Sequence, residues 1–512
     1  MNPTSRANHV WLVLLALFWA FYGLLGRDAW KGEEALALAP ILEWLAGERS
    51  LWATPAPLYS LASGLTASLN PGDVQDGIRL ASGVFTVLAL LFIGMTGRAL
   101  FGAGFGAAAV LALLGGLGLM LRAHALLPET ALLATWALLL YGVASARQHA
   151  KRGALVMGLA LTCLGLGLRG LPDLAAGLLM MLLPLLSPSW PDKAYRRAVR
   201  QALLLGMGLL ALGLFVLWQL DQLSGWLASH GPARLMGILE PAQAFQELPW
   251  FAWPLWPLAG WAIWHSHRHL ARSAELHPPL IALLVLALAA LFPAWSRDGA
   301  LLPLLLPLAL LAAYAVEHLR RGAAQAFYWF GVLCFLFFVL AFWVYFAAIE
   351  WGVPAKLASR VARLTPAYQP GSVDTAAILL AAGATLVWLV AIPMFPRAKT
   401  RPVLVWATGM AISWVLIAAL YRPWIEAGWA YRPLIRDMAR HLPMGACLEA
   451  RVDPAMAAML HYHLKVEQRT GCAYVLTVAN RRDPSEGTAA LWQGTRPRYK
   501  NQIYRLAQRG QD

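Results

Sequence analysis

The sequence predicts an all-α polytopic membrane protein with a small C-terminal α/β domain. Of its 512 residues, 59% are hydrophobic and 13% are charged, about half the charged fraction of a soluble protein. Apolar runs long enough to cross a bilayer as helices recur as far as residue 421. Residues 422–512 are more polar and alternate helix-like with strand-like segments. We therefore divide the chain into a transmembrane domain, 1–421, and a C-terminal domain, 422–512.

The apolar runs predict thirteen transmembrane helices. Pro303 and Pro307 fall inside one of them, and we expect neighbouring helices to satisfy the backbone groups that these prolines free. The predicted spans are 9–26, 78–97, 103–121, 127–146, 153–168, 171–189, 199–219, 250–265, 279–295, 299–316, 326–349, 373–394 and 402–421.

Basic residues collect on every second connection between these spans, which predicts that this side is cytoplasmic. The clusters contain Arg147, Lys151, Arg152, Lys193, Arg196, Arg197, Arg200, Arg268, Arg272, Arg320, Arg321, Arg397, Lys399 and Arg401. We expect a cytoplasmic N-terminus, with the first loop (27–76) and the C-terminal domain outside. The first span has no small-residue cleavage site, so we expect it to be retained.

The formal net charge of +15 does not predict nucleic-acid binding. Much of the basic excess lies in the cytoplasmic loops, where it sets the orientation of the helices. We therefore expect the lipid bilayer, rather than nucleic acid, to be the partner of these charges.

The C-terminal domain is predicted to contain helices over 431–442 and 454–464 and strands over 447–451 and 472–479, followed by Trp492 and the segment 503–508. Cys447 and Cys472 begin the two strands, in a domain expected outside, where disulfides persist. A bridge between them would contribute about 3 kcal/mol; two free thiols are the alternative. Cys163 and Cys334 lie in apolar spans and suit packing.

Ionisable residues gather where the spans meet the external side, and groups at such depth are costly unless paired or hydrated. They are Arg27, Asp28, Lys31, Glu33, Glu34, Glu43 and Glu48 in the first loop, then Arg122, His124 and Glu129, then Arg169 and Asp173, and finally Arg297 and Asp298. For Arg169 alone, snorkelling to the interface is an equal alternative. Glu43 and Glu48 suit a solvated helix face. Asp73 and Asp76 suit helix capping.

Adjacent carboxylates repel each other, so we expect Glu33 or Glu34 to have a function. Arginines can hold a phosphate through two hydrogen bonds and stabilise it as a leaving group. A carboxylate beside an acceptor hydroxyl can act as a general base. This combination suits transfer of a group from an anionic lipid carrier.

Six segments carry a family resemblance. They are GRDAWKGEEA (26–35), APLYSLASG (56–64), LRAHALLPETALLA (121–134), GLRGLPDLAAGLL (167–179), ELPWFAWPLWPL (247–258) and SRDGALLPLLLPLALLA (296–312). In this order they resemble the C-type, lipid-dependent glycosyltransferases of family 39, which include protein O-mannosyltransferases and bacterial lipid A aminoarabinose transferases. The C-terminal WQGTRPR, with the paired cysteines, resembles the small periplasmic domain of some proteobacterial members.

The resemblance implies a C-type glycosyltransferase fold with interfacial helices in the first loop. It also implies a bacterial inner-membrane enzyme that moves a sugar from undecaprenyl phosphate to an envelope acceptor: lipid A, a glycan or a protein hydroxyl. The implied catalytic residues are Glu33, Glu34 and Glu129. Contacts with the donor phosphate or lipid are implied for Lys31, Arg122, Arg169 and Arg297, and further site positions for Asp28, His124 and Tyr59.

Several positions depart from the family pattern. Glu33 and Glu129 stand where aspartates are usual, and each adds a methylene, about one ångström of reach, where such a misplacement can cost about a hundredfold in rate. The basic residue that precedes the family's PPLY motif is missing, and Gly299 and Ala300 replace bulkier residues. Retained transfer activity is the leading hypothesis. A catalytically degenerate member that binds lipid-linked sugar, or serves as an accessory protein, is the alternative.

Two histidine groups, HSHRH at 265–269 and HYH at 461–463, look like metal ligands. Neither has carboxylate or cysteine partners at the usual spacing, so we expect surface histidines and assign no metal ligand. Some relatives bind a divalent ion near the first-loop acids, which leaves an ion near Glu33 and Glu34 open. A transporter or flippase is a third hypothesis, but it predicts ionisable groups near the bilayer midplane and two repeated halves. Here the ionisable residues gather on one side and the two halves show no evident repeat.

Overall fold

The computed structural model describes residues 3–231, 241, 245–292, 297–443, 445–464, 469–480, 490–499 and 501–509, except for the side chains of residues 3–9, 297, 298 and 480. Each of the thirteen predicted spans overlaps a helix, and residues 293–295 of the span 279–295 lie outside the described residues. Within the described ranges, seven helices are long and apolar enough to cross a membrane, and shorter apolar helices accompany them. The chain is therefore a multi-pass membrane protein.

The helices up to residue 429 follow in chain order. They are α1 (Pro3–Phe21), α2 (Gly32–Leu45), α3 (Pro57–Leu69), α4 (Val74–Phe101), α5 (Phe105–Leu114), α6 (Leu117–Arg122), α7 (Glu129–Ser145), α8 (Ala150–Gly167), α9 (Leu171–Leu182), α10 (Lys193–Gln219), α11 (Leu223–His230), α12 (Leu248–Phe251), α13 (Leu255–Ser266), α14 (His277–Ala289), α15 (Arg297–Leu301), α16 (Leu305–His318), α17 (Arg321–Glu350), α18 (Ala355–Leu364), α19 (Thr375–Met394), α20 (Arg401–Leu416) and α21 (Arg422–Trp429).

Some predicted spans are interrupted. The span 9–26 is helical only to Phe21, because Gly23 takes a φ of 82°, a conformation that favours glycine. The span 103–121 divides between α5 and α6 at Gly115 and Gly116. Of the two prolines in the span 299–316, Pro303 lies within a 3₁₀ turn over Leu302–Leu304, and Pro307 lies in the first turn of α16. A π-helical turn, Ile417–Tyr421, joins α20 to α21 and was not predicted.

Helices α7 and α16 form the centre of the bundle, where nearly every residue is buried. A helix that is apolar on all sides is expected either in a core or in lipid. The peripheral helices α10, α17 and α19 show the second case, since Leu204, Phe337 and Val387 are exposed. The membrane domain therefore consists of a packed apolar centre and peripheral helices with exposed apolar side chains.

The first loop contains two helices, α2 and α3. The inner face of α2 buries Ala35, Leu38 and Ile41. Proline at the first position of α3 lacks only an N–H that would have no partner inside the helix. The side chain of Asp73 accepts a hydrogen bond from the backbone N–H of Gln75 at 2.9 Å, which confirms its predicted capping role at the start of α4.

The C-terminal domain contains helices α22 (Arg432–Ala439) and α23 (Pro454–Leu464) and a four-stranded sheet of order β1-β2-β4-β3. The strands are β1 (Leu448–Arg451), β2 (Tyr474–Asn480), β3 (Trp492–Gly494) and β4 (Gln502–Gln508). Strands β1 and β2 are parallel, so their connection must cross over, and α23 forms that crossover. The Cys447–Cys472 disulfide, with Cα atoms 5.3 Å apart, joins the starts of these two strands.

Candidate active site

Helix α2 carries Glu33 and Glu34 in its first turn, where the helix dipole stabilises negatively charged side chains. Lys31 is the residue before the helix and is exposed. Successive side chains of an α-helix differ by about 100° in direction. Glu34 therefore points into the bundle while Glu33 points to its rim, and the two carboxylates have different surroundings.

Glu34 is buried and fully bonded. Arg27 donates to both of its oxygens, at 2.6 and 3.1 Å, and the backbone N–H groups of Trp30 and Leu126 donate at 2.9 Å each. Burial by itself raises the pKa of the Glu34 carboxyl, but the charges and hydrogen bonds of Arg27, followed by the charge of Arg79, lower it to about 2. Glu34 is therefore an ionised carboxylate that ties the first loop to the bundle.

Arg27 extends this contact to a second segment. Its guanidinium donates to the backbone carbonyl of His124 at 2.6 Å and lies 4.3 Å from the ring centre of Trp30. Arg79 of α4 approaches Glu34 at 3.9 Å and donates to the Leu24 carbonyl at 2.9 Å. The loop before α2 is thus held on both sides by buried guanidinium groups.

Glu33 has the most accessible carboxylate of this group. Its Oε2 accepts a hydrogen bond from Arg122 at 2.7 Å, and its side chain is 37% exposed whereas that of Arg122 is 2% exposed. Arg122 also contacts the buried Glu129, the first residue of α7, at 3.2 Å. The three residues form a row that runs from the interior of the bundle to its surface, which we call the Glu33 row.

His124 lies behind the Glu33 row among apolar rings. Its Nε2 lies 2.7 Å from the Trp19 carbonyl oxygen, and its ring stacks on Trp414 with centres 3.8 Å apart. Burial lowers the pKa of His124 to about 4. The imidazole is therefore neutral at pH 7 and contacts backbone rather than the Glu33 carboxylate.

Asp28 faces the C-terminal domain. Its Oδ2 accepts hydrogen bonds from the backbone N–H groups of Tyr431 and Arg432, at 3.0 and 2.8 Å, and its Oδ1 lies 3.2 Å from Nε2 of His463. Burial opposes ionisation, but His463 and then Arg432 lower the pKa of Asp28 below its ordinary value. The predicted surface position of the HYH histidines is wrong for His463, because the crossover helix turns it towards the first loop.

The remaining predicted site residues are more scattered. Arg169 lies 3.6 Å from Asp173, in the turn between α8 and α9. That turn approaches the start of α3, since a Cβ on Gly167 would lie 2.9 Å from Leu58. Tyr59 is buried, with its hydroxyl 2.8 Å from the Ser82 hydroxyl. Arg297 begins α15, but its side chain lies outside the described residues, so its predicted role stays a prediction.

A divalent ion does not fit Glu33 and Glu34 as they stand. Both oxygens of Glu34 already accept hydrogen bonds, and the guanidinium groups of Arg27, Arg79 and Arg122 surround the two carboxylates. Among the described residues, no group of three His, Cys, Asp or Glu side chains is placed to hold a metal ion. The ion that the sequence left open near Glu33 and Glu34 is therefore used in no step below.

The residues that sequence reasoning missed are the partners of the predicted ones. Arg79 lies one turn after Asp76 at the start of a span and pairs with it at 3.0 Å, a spacing that could have indicated it. Glu426 accepts a hydrogen bond from the backbone N–H of Asp28 at 2.9 Å and another from the indole N–H of Trp30 at 2.6 Å. No local signal in the sequence indicated Glu426, and the HYH pattern at 461–463 did not indicate the contact of His463 with Asp28.

The packed helical membrane domain, with two helices in its first loop and a small C-terminal sheet domain, is the architecture that the resemblance implies. The chain is similar to ArnT from Cupriavidus metallidurans bound to undecaprenyl phosphate, with a TM-score of 0.59, 16% identity, and coverage of 99% of this chain and 98% of that one. The likeness to the same protein in the apo state has a TM-score of 0.62, 16% identity and 98% coverage of both chains. No protein-family model and no curated protein sequence matches the chain. At this identity the likeness establishes the fold.

Proposed function

We propose that this protein is a glycosyltransferase of the bacterial inner membrane. It takes a sugar from an undecaprenyl-phosphate-linked donor and moves it to a hydroxyl of an envelope acceptor on the periplasmic side. The acceptor is lipid A, another glycan or an exported protein. The observation that carries this proposal is the Glu33 row, in which a buried guanidinium holds a partly exposed carboxylate. The fold around this row is similar to that of a protein crystallised with undecaprenyl phosphate.

In the proposed reaction the acceptor oxygen bonds to the anomeric carbon as the bond from that carbon to the phosphate oxygen breaks. The acceptor proton passes to Glu33, and undecaprenyl phosphate leaves with the electron pair of the broken bond. Within the described residues, no hydrogen bond occupies Oε1 of Glu33, so this oxygen can accept the proton. Inversion at the anomeric carbon follows from a single displacement.

The other polar residues have supporting roles in this proposal. Arg122 orients the Glu33 carboxylate, and Glu129 orients Arg122 in turn. Arg169, together with Lys31 and Arg297, supplies positive charge for the donor phosphate, since a guanidinium can hold a phosphate by two hydrogen bonds. Glu34 positions the loop rather than contacting the sugar, because its oxygens are fully used by Arg27 and two backbone N–H groups.

The second candidate is a protein that binds lipid-linked sugar without transferring it. One observation favours it: Glu33 is one methylene longer than the usual aspartate, and its Oε2 is already held by Arg122. The two candidates differ in turnover but not in binding.

The test uses the full-length protein in lipid nanodiscs, supplied with a panel of undecaprenyl-phosphate-linked sugars and acceptors extracted from envelopes. Release of undecaprenyl phosphate is measured for the wild type, for Glu33→Gln, and for Glu43→Gln, a control on the outer face of the same helix. We expect release by the wild type and the control, a loss of about a hundredfold in Glu33→Gln, and unchanged binding of undecaprenyl phosphate in all three. Binding without release by the wild type would favour the second candidate.

A further inference from the structure

The C-terminal domain lies directly against the helix that carries the Glu33 carboxylate. Helix α23 packs on α2. At the first residue of α2, a Cβ built on Gly32 would lie 3.5 Å from the Cβ of Ala455 and 3.6 Å from the Tyr431 hydroxyl. These are ordinary van der Waals distances, so the start of α2 lies in direct contact with Ala455 and Tyr431. Glu33 is the next residue along the chain.

Asp28 is the strongest polar connection between the two parts. It is fully buried, and each of its oxygens contacts the C-terminal side of the chain: the Tyr431 and Arg432 backbone at one oxygen, and His463 at the other. A buried carboxylate is costly unless such partners satisfy it. The backbone contacts come from the segment that leads into the domain, whereas His463 comes from the end of α23. Among the hydrogen bonds that the described residues make with the Asp28 carboxylate, the one from the His463 side chain can be removed by a substitution, whereas the other two come from backbone N–H groups.

A second connection holds the far end of the first loop. Asp73, which caps α4, lies 3.6 Å from the Arg432 guanidinium and accepts a hydrogen bond from the Tyr462 hydroxyl. Tyr462 and His463 are neighbours on α23. The same turn of α23 therefore contacts the first loop both before α2 and after α3.

We propose that the C-terminal domain is a working part of the transfer site and that His463 is a positioning residue for Glu33. By holding Asp28, His463 sets where α2 begins, and the beginning of α2 sets the position of the Glu33 carboxylate. The inference rests on the function proposed above. Its physical basis is that the rate of a reaction falls steeply when its general base is displaced by about one ångström.

The test compares three variants of the full-length protein in nanodiscs. His463→Ala removes the contact with Asp28, His463→Gln keeps an N–H donor on that side chain, and His461→Ala changes an exposed histidine two residues away on the same helix. We expect kcat to fall about tenfold in His463→Ala with little change in KM for the donor lipid. We expect His463→Gln to recover most of that loss and His461→Ala to match the wild type. Rates are given per molecule that binds undecaprenyl phosphate, which removes any loss of folded protein.

Hydrogen exchange of the α2 amides in the same samples tests the positioning independently of activity. We expect faster exchange near Gly32 and Glu33 in His463→Ala and wild-type exchange in His463→Gln. A wild-type kcat in His463→Ala, or no recovery in His463→Gln, would overturn the proposal. If the wild type transfers no sugar, the proposed function fails by itself. The exchange data then decide: unchanged exchange in His463→Ala overturns the positioning by His463, and faster exchange retains it.

Discussion

The guanidinium of Arg122 lies 2.7 Å from the carboxylate of Glu33, although Arg122 is buried and Glu33 is partly exposed. The pair crosses the boundary between the packed interior and the rim of the first loop. Arg122 is itself held from within by Glu129. A flexible glutamate at a helix start would otherwise sample several rotamers, and this contact restricts it to an orientation in which one oxygen has no hydrogen bond to the described residues.

Arg122→Lys should slow transfer more than it weakens donor binding. Lysine keeps the positive charge, but its three N–H donors sit on one nitrogen, so it cannot reach Glu33 and Glu129 from two separate nitrogens as the planar guanidinium does. We expect kcat to fall about ten- to a hundredfold. Steady-state kinetics in nanodiscs measure this effect. A control at the exposed Arg98→Lys should leave the rate unchanged, and an equal loss in both variants would contradict the role given to Arg122.

Glu34→Gln should destabilise the protein at neutral pH and remove part of its acid sensitivity. The folded-state pKa of Glu34 is about 2, below its ordinary value of 4.5. The stabilisation is therefore present above pH 4.5 and is lost as the pH falls towards 2. A shift of this size corresponds to about 3 kcal/mol at pH 7. The unfolding midpoint in detergent, measured between pH 7 and pH 3, reports both effects.

The control for this prediction is Glu43→Gln, on the outer part of α2. Glu43 pairs with Arg49 at 2.5 Å, but both side chains are about one-third exposed, and such pairs contribute about 0–1 kcal/mol. We expect a small change at every pH. The account of Glu34 would be contradicted if Glu34→Gln behaved like this control.

Arg496→Lys should loosen the packing of the segment around Tyr431 against the rest of the C-terminal domain. The buried guanidinium lies between two rings, 3.9 Å from the centre of Tyr431 and 4.0 Å from that of Tyr499. A lysine cannot stack as a plane between them, so we expect a loss of about 2 kcal/mol. Protease resistance of the C-terminal domain measures the effect, with the exposed Arg440→Lys as control. Equal protease resistance in the two variants would show that the stacking of Arg496 on Tyr431 and Tyr499 does not stabilise the domain.

Replacing Cys447 and Cys472 together by serine should destabilise the C-terminal domain by about 3 kcal/mol. The bridge fixes the starts of β1 and β2, on either side of the crossover helix α23. Because α23 contacts α2, we also expect faster exchange of the α2 amides in this variant. Cys163→Ser provides the matched control, since Cys163 is a free thiol. Hydrogen exchange that is unchanged in α2 would argue against coupling between the domains.

Much of the fold is readable from the sequence because apolar length and strand alternation are local signals. The segments 447–451 and 472–479 lie on strands β1 and β2, and 454–464 is helix α23. The features of the fold that the sequence did not predict have a different cause. The break at Gly115 and Gly116 and the π-helical turn at 417–421 depend on packing between helices, which an apolar run does not encode.

The candidate site is only half readable from the sequence. The resemblance selects Glu33, Glu34, Arg122 and Glu129, and the structure brings these four together. It does not separate the roles of adjacent glutamates, since that depends on which one faces Arg27. The contact between Asp28 and His463 joins residues 435 positions apart, and no spacing in the sequence predicts it.

The central claim is that Glu33 is the carboxylate that carries out transfer, and its most direct test is in the cell. Envelope lipids and glycoproteins are analysed by mass spectrometry in a strain that lacks this protein, complemented with wild type, Glu33→Gln or Glu43→Gln at matched expression. If Glu33 carries out transfer, a glycan of fixed mass returns with the wild type and with Glu43→Gln but not with Glu33→Gln. Full return with Glu33→Gln would contradict the claim.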